Sequence, residues 1–155
     1  MIYRLNTPAQ NVALSFSDTE MNIKCFLIED TGRRTEFIDG VSSAIYRRVD
    51  TGEELHGKKP AGAMWFCEPE YQQYYQAGPD GRTLFVETPG GTWTVDSQAS
   101  NCTKPNDKEH RCWCRHGDAP NITVNKIGNT CFAGAGSILM ANFHGFLIDG
   151  ELVEI

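Results

Sequence analysis

Turn-forming residues interrupt this chain so often that long helices have little room. Fifteen glycines and seven prolines lie among short apolar runs. Glycine readily adopts left-handed backbone conformations and proline fixes φ, so both residues mark turns and the ends of elements. The pattern predicts a mainly β fold, built from hairpins or a meander; one or two short helices would make it α+β.

Two Asp-Thr-Gly sequences predict hairpin turns in the first third of the chain. An apolar run at residues 23–28 precedes the first turn, at residues 30–32, and a returning strand is expected at residues 35–38. A strand at residues 45–49 precedes the second turn, at residues 50–52. Short strands that alternate with such turns are typical of a β-meander.

Three further patterns follow along the chain. Residues 68–76 favour a short helix with Pro69 in its first turn. Residues 83–87 and 92–96 predict two strands that are joined by a Thr-Pro-Gly-Gly turn. Asp149-Gly150 predicts another hairpin turn.

Three aromatic residues on the strand-like segments are expected to belong to the main core. Trp65, Phe85 and Trp93 lie beside tight turns. Large apolar side chains must pack inward there to offset the entropy that the chain loses on folding.

A polar stretch at residues 56–62 is the one internal linker that the sequence suggests, because Pro60 and two glycines interrupt it. It divides the chain into residues 1–58, an N-terminal β-hairpin region that is an accessory extension, and residues 59–155, a compact β-rich core with the cysteines and histidines of the central region. Residues 97–131 within this core lack any long periodic segment and contain four of the six cysteines, which predicts a cysteine-rich irregular loop region.

The formal charge of −6 argues against a nucleic-acid module, because such modules bind phosphates with an excess of Lys and Arg. The longest uncharged apolar stretch near the C-terminus, residues 133–143, is too short for a membrane span. The N-terminal sequence lacks the basic head and apolar block of a secretory signal. We therefore expect no membrane partner, and a chain that stays in the cytosol or leaves it without a cleaved signal.

The sequence HRCWCRH, residues 110–116, alternates histidine or cysteine with other residues. In an extended chain His110, Cys112, Cys114 and His116 would share one face. They cannot all bind one ion, because His110 and His116 would then be roughly 20 Å apart at about 3.3 Å per residue. A strand donates two neighbouring ligands at most, so the remaining ligands must come from other segments.

Cys102 and Cys131 flank this motif and are the natural source of those ligands. Three thiolates and one imidazole form a tetrahedral set that suits Zn²⁺. His116 is favoured as the imidazole because a Gly-Asp turn follows it, and His110 is the weaker candidate. The predicted metal ligands are therefore Cys102, Cys112, Cys131 and His116, with His110 and Cys114 as secondary candidates.

Two alternatives to zinc remain open for these cysteines. Two of the four could pair in a disulfide, which an oxidising setting would favour. They could also remain unpaired thiols, since free cysteine behaves as a small apolar residue. The buried-thiol interpretation is preferred for Cys25 and Cys67, which lie in apolar, strand-like surroundings.

Several sequence segments resemble a group of small uncharacterised proteins encoded by tailed bacteriophages and prophages. They are GAMWF, GPDGRTLFVETPGGTW, DSQASNCTKPNDKEHRCWCRHG, GNTCFAGAGSI and FHGFLIDG. The resemblance covers residues 62–150 and leaves residues 1–58 outside it. In this group a β-branched residue often stands at the position of Cys114, which implies that Cys114 is the weakest of the cysteine candidates.

The resemblance implies a non-enzymatic structural or assembly-related protein of a bacteriophage. Its partners would be other phage structural proteins and copies of itself, and it would be found in the host cytoplasm during infection and then in the virion. A small β-rich domain that a zinc site or a disulfide stabilises would suit this role, with an edge strand that pairs with a neighbouring subunit.

Two other classes of function stay open. In a zinc-dependent hydrolase, Asp96, Glu109 or Asp118 would act as the base, and a Cys131–His144 pair is a nucleophile candidate by composition. The chain lacks the H-E-x-x-H and P-C-x-x-C motifs. In a zinc-knuckle module that binds nucleic acid or a host protein, Trp113 would stack on a base between Arg111 and Arg115.

Overall fold

A computed structural model describes residues 22–129, 131, 133 and 136–155 of the protein. These residues form twelve strands and one short 3₁₀ helix. The strands are β1 (Asn22–Lys24), β2 (Phe26–Arg34), β3 (Ala44–Arg48), β4 (Glu54–Leu55), β5 (Ala63–Phe66), β6 (Leu84–Thr88), β7 (Gly91–Thr94), β8 (Cys114–His116), β9 (Thr123–Asn125), β10 (Ile138–Met140), β11 (Phe143–Ile148) and β12 (Glu151–Glu154). The 3₁₀ helix spans Pro69–Tyr74.

The strands form two six-stranded sheets, which confirms the predicted mainly β fold. The first sheet has the order β1-β12-β11-β9-β8, and β10 also pairs with β11. The second has the order β4-β3-β2-β5-β6-β7. Among the named strands the β2–β5 pair is parallel and the other pairs are antiparallel.

One hydrophobic core is shared by both sheets. Side chains alternate between the two faces of a strand, so every second residue of β5 and β6 points into this core. The buried residues of the core are Cys25, Met64, Leu84, Val86, Val95, Ile122, Val124, Ile138, Phe143, Leu147 and Leu152. Residues from both ends of the described chain, such as Cys25 and Leu152, therefore contribute to this core.

The three aromatic residues that were expected in this core are distributed differently. Trp93 is partly buried and packs against it, as predicted. Trp65 packs instead in a second, smaller cluster, and Phe85 stacks on Trp65 with ring centroids 5.7 Å apart. The reason is strand alternation: Trp65 and Phe85 are cross-strand partners, and their neighbours Met64 and Leu84 take the core-facing positions.

The prediction of a hairpin turn at residues 30–32 is wrong. These residues lie inside the single strand β2, where the register with β3 shifts between Asp30 and Arg34. Gly32 has a φ of 82° and its N–H donates to the Asp30 carboxylate, so the segment forms a bulge rather than a reversal. The chain reverses later, at Asp39 and Gly40, between the bridged residues Ile38 and Val41.

The other predicted turns are confirmed. A hairpin over residues 50–52 joins β3 to β4, and β6 and β7 pair around the Thr-Pro-Gly-Gly turn. Asp149 and Gly150 both have positive φ and connect β11 to β12. The expected helix with Pro69 in its first turn is present as the 3₁₀ helix. Among the described residues, no helix has the length and apolar character needed to cross a membrane.

Strands on both sides of residue 58 pair with one another. β1 pairs with β12, and β2 pairs with β5. Residues 1–21, which belong to the expected N-terminal region, lie outside the described residues. The division of the chain at residue 58 therefore stays a prediction, although residues 22–55 supply strands to both sheets.

Candidate metal centre

A series of tight turns positions the cysteine-rich segment between β7 and β8. The Ser97 carbonyl accepts hydrogen bonds from the N–H groups of Cys112 and Trp113, at 3.0 and 3.3 Å. The Gln98 side-chain amide donates to the carbonyls of Asp107 and His110, at 3.0 and 3.2 Å. These bonds fold the segment back on itself, so that its two ends lie together.

Four potential metal ligands meet where this segment approaches residue 131. The ligand atoms of Cys102, His110, Cys112 and Cys131 all lie within 4.8 Å of one another. The Cys112 Sγ atom is 3.6 Å from the Cys131 Sγ atom and 3.6 Å from His110 Nε2. His110 and Cys112 are buried, while Cys102 and Cys131 are partly exposed. The group is capable of binding a metal.

The two separations of 3.6 Å, from Cys112 Sγ to Cys131 Sγ and to His110 Nε2, are close to those of ligands around a tetrahedral zinc ion. With zinc–sulfur bonds near 2.3 Å, two thiolates at the tetrahedral angle lie about 3.8 Å apart, and a thiolate and an imidazole about 3.6 Å apart. A disulfide would bring two sulfurs to about 2.05 Å. All six cysteines are free in the structure. The Cys102, Cys112 and Cys131 thiols therefore form no disulfide, and with His110 they could hold a metal ion.

Backbone N–H groups point at the sulfur atoms of the group. Lys104 N–H donates to Cys102 Sγ, and Ala133 N–H donates to Cys131 Sγ, each at 3.3 Å. Such donors favour the charged form of the acceptor and fix its orientation. Both bonds come from the residue two positions after the cysteine, so each cysteine lies at the start of a small turn that holds its thiol in place.

The thiols of the group have different acidities. Burial would raise the pKa of Cys131, but hydrogen bonds from the backbone of Thr103 and Ala133 and from the His110 and Cys112 side chains lower it to about 5. Burial raises the pKa of Cys112 to about 11, and the neighbouring thiols add to the rise. A metal ion that binds here would displace the Cys112 proton, because the ligand form of cysteine is the thiolate.

The structure places His110 in this group, whereas His116, the histidine favoured by the sequence, lies outside it. Residues 110–112 precede β8 and lie outside any strand, so the regular alternation of a strand applies only from Cys114 onward. His116 ends β8 with an exposed side chain, and its Nε2 atom lies 3.0 Å from Asn125 Oδ1. Cys114 also lies outside the group, with its thiol 3.7 Å from the Arg111 carbonyl. As expected, only one of the two histidines approaches Cys112.

Sequence reasoning missed a buried ion pair that involves Arg115 of β8. The Arg115 guanidinium donates to the Asp96 carboxylate at 2.9 to 3.0 Å and to both Asp80 oxygens at 3.0 Å. The side chains of Arg115 and Asp96 are only 4% and 1% exposed. Burial raises the pKa of Asp96, and the Arg115 charge opposes that rise. The available sequence signal was the Arg-Cys-Trp-Cys-Arg run at residues 111–115, which leads into β8.

The residues of the nucleic-acid hypothesis are engaged within the fold. Arg111 donates to the carbonyls of Ala77 and Lys108, with distances of 2.6 to 3.0 Å. The Trp113 ring packs edge-on against Trp93, with ring centroids 5.7 Å apart. Arg115 is buried in the ion pair. Stacking of Trp113 on a base would require this packing to open.

The acidic residues of the hydrolase hypothesis are not part of the Cys₃His group, although Asp96 and Glu109 line one cleft beside Arg115. Asp96 is held by Arg115, Glu109 is exposed, and Asp118 lines a different cleft, beside Phe66 and Asp80. His144, the proposed partner of Cys131, instead places its Nε2 atom 3.0 Å from Ser137 Oγ. Cys25 and Cys67 are buried, as expected, and burial raises the pKa of each thiol.

The fold and the centre define a two-sheet β protein with a metal-capable Cys₃His group. Comparison of the chain with protein-family models, curated proteins and solved structures finds no match. What the protein does is therefore inferred from the centre and the surface of this molecule.

Proposed function

We propose that the protein is a non-enzymatic binding module in which Cys102, His110, Cys112 and Cys131 form a closed structural zinc site. The observation that carries this proposal is the convergence of all four ligand atoms within 4.8 Å. Three sulfurs and one nitrogen complete a tetrahedral shell, whereas a catalytic zinc keeps one position open for water. The set therefore favours a role in stability over hydrolysis.

The zinc would hold together segments that contain little regular structure. Cys102, His110 and Cys112 lie between β7 and β8, and Cys131 lies between β9 and β10. A single ion would thus join the connection that links the two sheets to a connection that begins and ends in the first sheet. Structural zinc supplies folding free energy where a loop region has few apolar contacts of its own.

We further propose that the module acts in the virion or the assembly of a bacteriophage, where it binds neighbouring subunits. The sequence resemblance to small phage proteins supports this role. An exposed apolar hairpin tip also supports it: Phe37, Ile38 and Val41 are 76%, 73% and 63% exposed. Apolar side chains grouped in this way mark contact sites for other proteins.

Elemental analysis beside a thiol count tests the zinc site. We expect one zinc per chain and six reactive thiols after denaturation. Replacing Cys112 or Cys131 by Ser should abolish stoichiometric zinc, whereas Cys114→Ser, a matched control outside the group, should retain it. A metal-free protein with only four reactive thiols would instead mean a disulfide, and would contradict the proposal.

Fractionation of phage particles tests the role in the virion. The protein should copurify with assembled particles, and the double variant Phe37→Ser/Ile38→Ser should stay in the unassembled fraction while keeping its zinc. If the wild-type protein never joins particles or assembly intermediates, the proposed role in the virion is wrong, whereas the proposed zinc site is not contradicted.

A further inference from the structure

Two cysteines of the Cys₃His group lie in contact but differ in exposure. Cys131 is partly exposed, whereas Cys112 is only 1% exposed. Their Sγ atoms lie 3.6 Å apart. Cys112 belongs to the connection between β7 and β8, and Cys131 belongs to the connection between β9 and β10. A reagent that attacks the more exposed sulfur therefore meets a second sulfur beside it, from another part of the chain.

The bound metal would keep both sulfurs in a reactive form. A cysteine binds zinc as the thiolate, and the thiolate is also the form that peroxides oxidise. Among thiolates, the more exposed ones are oxidised more readily. His110 and Cys112 are buried, so Cys102 and Cys131 are the accessible members of the group. Of these two, Cys131 comes from the opposite connection to Cys112 and is in contact with it.

We infer that Cys131 is a site of oxidation by peroxides, that Cys112 is the thiol that resolves the oxidised form into a disulfide, and that the zinc is released. The metal release rests on the zinc site proposed above. The Cys112–Cys131 bond would keep the two connections joined after the ion has left, while Cys102 and His110 would be freed.

With hydrogen peroxide as the oxidant, the reaction balances in two steps. The Cys131 thiolate attacks one peroxide oxygen, the O–O bond breaks, and a sulfenic acid forms on Cys131. The Cys112 thiolate then attacks the Cys131 sulfur, the S–O bond breaks, and the disulfide forms. Each step displaces one hydroxide, which takes a proton from solvent and becomes water. The two thiolates supply the two electrons that reduce the peroxide, and zinc leaves as Zn²⁺.

The disulfide requires only a local movement. The two sulfurs must approach from 3.6 Å to about 2.05 Å. Neither Cys112 nor Cys131 belongs to a strand, so this movement breaks no pairing within the two sheets. Cys114 provides a comparison within the same chain. It is also partly exposed, but it lies outside the Cys₃His group, and its thiol is 3.7 Å from the Arg111 carbonyl.

Treatment of the full-length, zinc-loaded protein with hydrogen peroxide, after removal of reductant, tests the inference. We expect one zinc per chain to pass to a chromophoric chelator and two of the six thiols to be lost. A dithiol reductant should restore both. Peptide mapping after blocking of the remaining thiols should place the disulfide between Cys112 and Cys131. The matched control Cys114→Ser should release its zinc at a rate within about twofold of the wild type.

A trapping reagent identifies the sulfur that is attacked first, without altering the protein. Dimedone, which captures sulfenic acids, should label Cys131 when it is added together with peroxide. Label on Cys102 instead, or a disulfide between any other two cysteines, would overturn the inference. Release of zinc without loss of thiols would overturn it as well.

The two proposals fail separately. A zinc-loaded protein that keeps its metal and all six thiols, at peroxide concentrations that oxidise glutathione, overturns the oxidation site alone. A reduced, metal-free protein in which peroxide still joins Cys112 to Cys131 overturns the zinc site and leaves the oxidation site standing.

Discussion

His110 and His116 show how strongly local backbone conformation decides the role of a residue. They are of the same type and flank the same motif, yet one is buried beside Cys112 and the other is exposed at the end of β8. The irregular backbone before Cys114 turns His110 toward the thiols. The regular strand after it sends His116 to the solvent face.

Exchange of each histidine for Ala should therefore have unequal effects. His110→Ala removes a ligand and should lower zinc affinity more than about 100-fold, beyond the 10–100-fold typical of residues that only support a ligand. His116→Ala should change it less than about threefold, because its ring meets Asn125 instead. Competition with a chromophoric chelator measures both. A larger loss in the His116 variant would rule out the assigned ligand set.

Arg115 is the residue whose loss should damage the fold most severely. Arg115→Met leaves the Asp96 carboxylate buried without its partner, and breaking a buried pair in this way costs about 3–5 kcal/mol. Urea unfolding should register this loss. Asp80→Asn serves as the control and should cost less than about 1 kcal/mol, because the Asp80 side chain is 43% exposed and solvent screens its charge. Similar losses in both variants would contradict the structural importance of the buried pair.

Asp80 should also contribute to the pH dependence of stability. Burial raises its pKa, but hydrogen bonds from the Arg115 side chain and the Arg82 backbone outweigh this effect and hold the pKa below its ordinary value. A carboxyl with a lowered folded pKa stabilises the protein fully above its unfolded pKa, and this contribution is lost as the pH falls through the folded pKa. As the pH falls below about 4, the free energy of unfolding should therefore decrease less in Asp80→Asn than in the wild type. Parallel unfolding curves between pH 6 and pH 3 would contradict this.

Among the strands, β11 has the least tolerance for added volume. It pairs with β12, β10 and β9, and Gly145 lies where a neighbouring backbone approaches closely. A Cβ atom at Gly145 would lie 2.2 Å from the Val153 carbonyl oxygen and 2.7 Å from the Phe143 ring. The carbonyl belongs to the pairing with β12 and cannot move without breaking it.

Gly145→Ala should consequently destabilise the protein by about 1–3 kcal/mol or more, the range for overpacked sites. Gly136→Ala is the matched control, since the nearest atoms to its Cβ would be 3.9 Å away. It should be nearly neutral. Differential scanning calorimetry of the two variants separates the cases, and a neutral Gly145→Ala would mean that β11 and β12 do not pack as described.

Local turn chemistry allowed much of the element pattern to be predicted from the sequence. The hairpins around residues 50–52, 88–91 and 149–150 follow from the glycine, proline and aspartate residues of their turns. The same chemistry misled at residues 30–32, because Asp-Thr-Gly fits a bulge as well as a reversal and only the pairing of β2 with β3 distinguishes them. The ligand set shows the same limit. The three cysteines were chosen correctly for proximity, whereas the choice of histidine depended on a backbone conformation that no local pattern specifies.

For the molecule as a whole, the proposed zinc site should hold the long connections together without being required for the two sheets to form. Both sheets share an apolar core that does not include the Cys102, His110 and Cys131 side chains. Removal of the metal should therefore loosen residues 97–112 and the connection around residue 131, and leave the sheets paired.

Hydrogen exchange with and without a chelator tests this expectation. Amides near Cys112 should lose protection, while those of β6 and β11 should keep most of theirs. The midpoint temperature of thermal unfolding should fall when the metal is removed, and it should rise again when zinc is added. At a zinc concentration of 100 times the Kd, binding to the native state adds about 2.7 kcal/mol to the free energy of unfolding. Collapse of protection throughout both sheets would instead make the metal a condition of folding.

The pairing of β1 with β12 has a consequence for how the protein is made. Asn22 pairs with Val153, so the partners are 153 − 22 = 131 positions apart in the chain. At translation speeds of about 5–20 residues per second, β1 waits roughly 7 to 26 seconds for its partner to be synthesised. Until then β1 lacks its partner β12, and the nascent chain presents it as an unpaired strand. Completion of the first sheet is therefore a late event, and a chaperone that shields nascent β segments would have its longest opportunity at β1.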